Sequence, residues 1–125
     1  MKPRILIVDD DTAVTQQLFW SLSEDYDVVT ANDMQTAVRR ATVYKPGIAI
    51  VDMNLMPKGS NAGLRILEYI KTHVPESKVV VTVNGTEAWE LFYAVGADEV
   101  LAKPFEIEEL LSTTRRLVSL QADLV

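Results

Sequence analysis

Short apolar runs alternate about five times along the chain with longer stretches in which apolar residues recur every three or four positions. The first pattern is that of buried strands and the second that of helices packed on one face. Arg4–Val8 is continuously apolar after its arginine, as a strand covered on both sides should be. Asp11 and Thr12 supply helix-capping chemistry, and Val14, Leu18 and Leu22 fall on one stripe of a helix running to about Ser23. Asp27–Thr30 predicts a short strand at an edge. A helix follows from about Met34 to Tyr44, stopped by Lys45-Pro46-Gly47. Ile48–Asp52 is the third strand. After the Pro/Gly-rich segment Met56-Pro57-Lys58-Gly59-Ser60-Asn61, a helix runs from about Ala62 to His73. Lys78–Thr82, Thr86–Val95 and Glu99–Ala102 predict a strand, a helix and a strand. The last helix begins after Pro104, with Ile107, Leu110, Leu111, Thr114, Leu117 and Val118 on one face.

Alternating strands and helices predict an α/β fold with a parallel sheet. Right-handed crossovers favour helices on both faces, as in a flavodoxin-like doubly wound sheet of order 2-1-3-4-5. Residues 1–125 are expected to form a single domain, with no internal repeat, linker or low-complexity tract. That order brings the carboxyl ends of the first and third strands together, and those ends carry Asp9, Asp10 and Asp52. Thr82 and Lys103 close the fourth and fifth strands from the other side. Crowded carboxylates repel one another unless a cation relieves them. Mg²⁺ (or Mn²⁺) suits oxygen ligands that share it with a phosphate. A carboxylate can itself become the nucleophile and form an aspartyl phosphate. Phosphoryl transfer needs chiefly positioning and neutralised equatorial oxygens, for which an ammonium such as Lys103 is a recurring part. Asp52, alone on the central strand and facing the acid pair, is the candidate nucleophile.

Ile7-Val8-Asp9-Asp10, Asp52 at its strand end, Thr82, Gly96-Ala97-Asp98 and Lys103-Pro104-Phe105 occur in order and at near-family spacing. In these motifs the chain resembles the response-regulator receiver domain of two-component signalling, chemotaxis regulators included, over essentially its whole length. The resemblance implies that Asp52 accepts a phosphoryl group from a sensor histidine kinase or phosphotransfer protein. It implies that Asp9 and Asp10 hold Mg²⁺ with Asp52 and the backbone carbonyl of Asn54. Thr82 and Lys103 would contact the phosphoryl group, and the Lys103–Pro104 bond would be cis. Positions 54 and 84, both asparagine, would tune the phosphoryl lifetime. The domain would then be a switch rather than a turnover enzyme.

The chain departs from the family pattern in places. Val100 stands where the family has an aromatic switch residue, and the β-branched Val83 follows Thr82 and is expected to crowd the pocket. The loop after Asp52 is about three residues longer than usual. These departures motivate an alternative reading, a phosphorylation-independent interaction module with a receiver-like pocket. A phosphatase with an aspartyl nucleophile fits less well, because such enzymes want a second carboxylate where Asn54 stands.

Composition narrows the partners. A net charge of −6 argues against direct nucleic-acid binding, and no apolar stretch approaches the ~18 residues of a membrane span. The absence of cysteine excludes thiolate chemistry and disulfides. A cytoplasmic protein is expected. His73, the single histidine, sits at a helix end where the dipole suffices to explain it. On the fourth helix, Ala88, Leu91, Phe92 and Val95 are expected to face inward. Trp89 and Tyr93 then fall off that face, either packing against neighbours or anchoring a partner. The resemblance puts them, with Val100, on a surface of the fourth helix, fifth strand and fifth helix that would serve a homodimer or another partner.

Overall fold

The computed structural model describes residues 2–85 and 89–123, the last three in backbone only. Five strands and five helices alternate strictly: β1 (Arg4–Val8), α1 (Thr12–Leu22), β2 (Asp27–Ala31), α2 (Met34–Tyr44), β3 (Ile48–Asp52), α3 (Ala62–His73), β4 (Lys78–Val83), α4 (Trp89–Val95), β5 (Glu99–Ala102) and α5 (Ile107–Asp123). The strands form one parallel sheet in the order β2-β1-β3-β4-β5. The sequence reading is met within a residue at nearly every boundary. Thr86 and Ala88, expected in the fourth helix, lie outside the described residues.

Period-two alternation divides the strand residues between two cores. Leu6, Val8, Ala49, Val51, Val79, Val81 and Val83 pack against Ala37 and Ala41 of α2 and Ile66, Leu67 and Ile70 of α3. Ile5, Ile7, Ile48, Ile50, Val80 and Leu101 pack on the other face, against Leu18 and Leu22 of α1 and Leu110 and Leu117 of α5. Strands covered on both faces must be apolar at every position, which is why the sequence runs read as unbroken.

The helix ends follow capping chemistry. Asp11 accepts from the amides of Ala13 and Val14, and Asp33 accepts from Thr36. Lys45 ends α2 in the left-handed region at φ 46°. Near the far end of α3, Asp98 accepts from Lys71 Nζ at 2.6 Å and from the Val79 amide at 2.8 Å. This ties α3, the start of β4 and the approach to β5 together. A side chain at Gly96 would meet Lys71 Cγ at 2.9 Å, so the glycine makes room for that clamp.

Both outer edges of the sheet meet a side chain. The Asp9 amide donates inward to the Ala31 carbonyl, so the Thr30 carbonyl one residue earlier faces out, where the Arg40 guanidinium donates to it. On the opposite edge the Lys103 amide donates inward to Val83, so the Val100 amide faces out, where the Tyr93 hydroxyl accepts from it.

The helical phase of α4 differs from expectation. Trp89, Phe92 and Val95 pack against the core, while Leu91 is exposed. The indole of Trp89 donates to the Gly85 carbonyl at 3.1 Å, which ties this ring back toward the end of β4.

Candidate functional site

The alternation that sorts the core also assembles the site. Asp9 continues the face of Ile5 and Ile7, Asp52 that of Ile48 and Ile50, Thr82 that of Val80, and Lys103 that of Leu101. All four therefore emerge at the carboxyl edge on the side of α1 and α5, and Asp52 pairs directly with Thr82 in the ladder. Asp10, one residue later, turns outward into solvent, yet its carboxylate still gathers with those of Asp9 and Asp52. One oxygen from each of the three lies within 4.8 Å of the others.

Every site carboxylate is oriented by a backbone donor. The Asp11 amide donates to Asp9 Oδ1 at 2.9 Å, the Asn54 amide to Asp52 Oδ1 at 2.9 Å, and the Met56 amide to Asp10 Oδ2 at 2.8 Å. Lys103 Nζ donates to Asp9 Oδ2 at 2.9 Å and stands 3.5 Å from Asp52 Oδ2. Burial pushes the Asp52 carboxyl above its ordinary value, opposed by the Asn54 amide and the Lys103 charge and reinforced by Asp9. Burial works against the Lys103 ammonium, but Asp9 and Asp52 outweigh it and hold the lysine charged. Thr82 is buried, and its hydroxyl has no hydrogen-bond partner among the described residues. Buried hydroxyls are rarely left so, and this one lies beside the carboxylate it pairs with across the ladder.

The loop after Asp52 is long but anchored. Leu55 is buried in the core, the Ser60 amide donates to the Pro57 carbonyl, and the Ala62 amide donates to Ser60 Oγ. The Met56–Pro57 and Lys103–Pro104 bonds are both cis, the second as expected. Asn54 Oδ1 accepts from the Asn84 amide at 3.1 Å and so joins the loops after β3 and β4. Beside Lys103 a groove of about 470 Å³ opens between α1 and the segment leading to α5, lined by Val14, Gln17, Leu18, Phe105 and Ile107.

The structure thus brings together Asp9, Asp10, Asp52, Thr82 and Lys103, with Asn54 alongside. It does not bring Val83 to the pocket: that side chain is buried on the opposite face of the sheet, and it does not crowd the carboxylates. Val100 is 2% exposed and belongs to the same core, so the expectation that it forms part of a partner surface fails. Trp89 is half-buried, and Tyr93 remains accessible at 43%. Two contributors escaped the sequence reading. The Met56 amide orients Asp10 and carries no signal, being a backbone group in a loop. Gly63 is the other: a Cβ there would stand 2.4 Å from the Asp52 carbonyl oxygen, so only glycine lets α3 press against the strand end that presents Asp52. A glycine inside the first turn of a helix was the available signal.

Comparison with known proteins agrees with this geometry. The family model of the response regulator receiver domain matches residues 5–115. The chain is 30% identical to the transcriptional regulatory protein KdpE of Staphylococcus aureus over 118 residues, covering 92% of this chain and 49% of that protein. It is 32% identical to the transcriptional regulatory protein PrrA of Mycobacterium tuberculosis over 123 residues, covering 93% of this chain and 50% of that one. The chain therefore spans about half the length of these curated relatives. A CheY-like response regulator receiver domain from Methanospirillum hungatei superposes with a TM-score of 0.91 at 25% identity, each chain covered in full. The match of motif, topology and site establishes that the chain belongs to the response regulator receiver family, the phosphoaccepting module of two-component signalling.

Proposed function

We propose that Asp52 is the phosphoacceptor and that a sensor histidine kinase or phosphotransfer protein is the donor. One observation carries this reading: Lys103 Nζ bridges Asp9 and Asp52 beside the buried hydroxyl of Thr82, which has no partner among the described residues. A carboxylate oxygen of Asp52 forms a bond to phosphorus as the phosphorus–nitrogen bond of a phosphohistidine breaks. The bonding pair stays on nitrogen, and a ring protonated at its other nitrogen leaves as neutral imidazole. The Asn54 amide holds the Asp52 carboxylate in place during attack. Lys103 follows the new negative charge onto the phosphoryl oxygens, and the Thr82 hydroxyl gains the acceptor it lacks.

The three converging carboxylates fit a divalent cation, which we take to be Mg²⁺ (or Mn²⁺), held by Asp9, Asp10, Asp52 and the Asn54 carbonyl. When bound, it would neutralise the acidic cluster and the phosphoryl oxygens. The protein modifies itself and then signals, so it acts as a switch and not as a turnover enzyme. We read residues 1–125 as one receiver domain, working in the cytoplasm. Tyr93 and the exposed part of Trp89 contribute to the α4–β5–α5 face through which a homodimer or an effector reads its state.

Incubation with acetyl phosphate and Mg²⁺ should add the mass of one phosphoryl group, stable to acid and labile to hydroxylamine. Asp52→Ala should abolish it. A wild-type protein that acquires no adduct overturns the assignment.

A further inference from the structure

Among the described residues α4 is held less firmly than the other helices, because none of its side chains is fully buried. Trp89, Phe92 and Val95 reach the core only in part. What adds specificity is the Tyr93 hydroxyl, which lies 2.8 Å from Glu99 Oε1 and accepts from the Val100 amide at 3.2 Å. A phenol has one proton to give and lone pairs to accept with, so both contacts are satisfied at once. Burial, then the Glu99 hydrogen bond, pushes the phenol above its ordinary value. The other oxygen of Glu99 is taken by the Arg116 guanidinium of α5. A single chain of polar contacts thus runs from α4 through β5 to α5.

The same strand ends at the site. β5 has four residues, and Lys103, the next one, bonds Asp9 and stands by Asp52. Tyr93 therefore grips one end of a strand whose other end carries the ammonium. Lys103 meets the carboxylates of Asp9 and Asp52, and a phosphoryl group on Asp52 would offer it new oxygens to pair with. The buried Val100 side chain offers no polar group of its own to link the strand with α4, and the link comes from the helix instead.

We propose that the Tyr93 hydroxyl is a clasp that holds α4 and α5 to β5, and that phosphorylation of Asp52 opens it. The proposal rests on Asp52 as the phosphoacceptor. A contact that stabilises the unmodified state opposes whatever favours the modified one, and this coupling is reciprocal for reversible binding. Loosening the clasp must therefore tighten the binding of a phosphoryl analogue.

Two measurements on the full chain test this. The first is hydrogen exchange of the Val100 amide in the unliganded protein, read by NMR. Tyr93→Phe keeps the ring and should speed that exchange on the order of tenfold. Glu99→Ala should act in the same direction. The second is titration with fluoroberyllate and Mg²⁺, a reversible phosphoryl analogue. Tyr93→Phe should bind it at least about fivefold more tightly than wild type. Unchanged Val100 exchange in Tyr93→Phe overturns the clasp whatever happens at Asp52. Faster exchange with equal or weaker fluoroberyllate binding overturns its role in switching. Wild-type binding that persists undiminished in Asp52→Ala sinks the phosphoacceptor reading, while the exchange result still decides whether the clasp exists.

Discussion

Asp52 is kept where its charge is least comfortable. Its carboxyl is pushed above the ordinary value of 3.8, so the folded chain binds a proton more readily than the unfolded one. That preference favours folding below the unfolded value and is lost as pH rises through the raised one; at neutral pH the Asp52 charge weighs against the fold. Asp52→Asn should therefore melt higher than wild type at pH 7 without divalent cations, Lys103 keeping its bond to Asp9. Each kcal/mol gained raises Tm by roughly 4 °C in a domain of this size, and the gain should shrink as pH falls through the raised value and be gone below the ordinary one. A variant that melts lower at pH 7 would contradict this. Gly63 is the converse case. Ala in its place must displace backbone at the Asp52 carbonyl, and the strain should cost about 1–3 kcal/mol in chemical denaturation. The strand-end residues were legible because their chemistry is unusual after an apolar run. Tyr93 was not, since its role depends on a hydroxyl meeting the backbone of another element.

Elements were legible to the extent that burial repeats. α1, α3 and α5 carry apolar residues at helical spacing, and the structure buries those stripes. α4 misled because its described residues are only partly buried, so no fully buried stripe marks its inward face. Leu91 shares a helical stripe with Ala88, Phe92 and Val95 in the sequence, yet the structure leaves it exposed. The indole hydrogen bond to Gly85 and the Tyr93 contacts with β5 decide the rotation instead, and these are tertiary facts. The Asp98 clamp gives Gly96-Ala97-Asp98 a joint role, the glycine leaving room for Lys71 and the aspartate binding it. Asp98→Ala would strand the Val79 amide and remove the Lys71 partner, and denaturation should show a loss of about 1–3 kcal/mol. Lys71 keeps the Ser77 carbonyl, which limits the damage. Phosphorylation of Asp52 should survive this change, because the clamp lies at the other end of β4.

For the molecule as a whole, stability and ligand state are one quantity. A cation that binds only the folded carboxylate cluster raises stability by about 2.7 kcal/mol at a hundredfold excess over its Kd. Thermal unfolding should thus rise with Mg²⁺ concentration. Asp10→Asn should blunt that rise while leaving the metal-free melting point close to wild type, since Asp10 is exposed and asparagine can still accept from the Met56 amide. An undiminished Mg²⁺ response in this variant would remove Asp10 from the metal set.

The guarded margins of the sheet set limits on how such molecules can gather. The Thr30 carbonyl on one side and the Val100 amide on the other are already spoken for by Arg40 and Tyr93. A sixth strand from a neighbouring molecule would have to evict those side chains before it could add to the ladder. Edge-to-edge addition is thereby hindered on both sides of the sheet. Recognition is left to helical faces, whose side chains can be varied one at a time without disturbing the sheet that carries the chemistry.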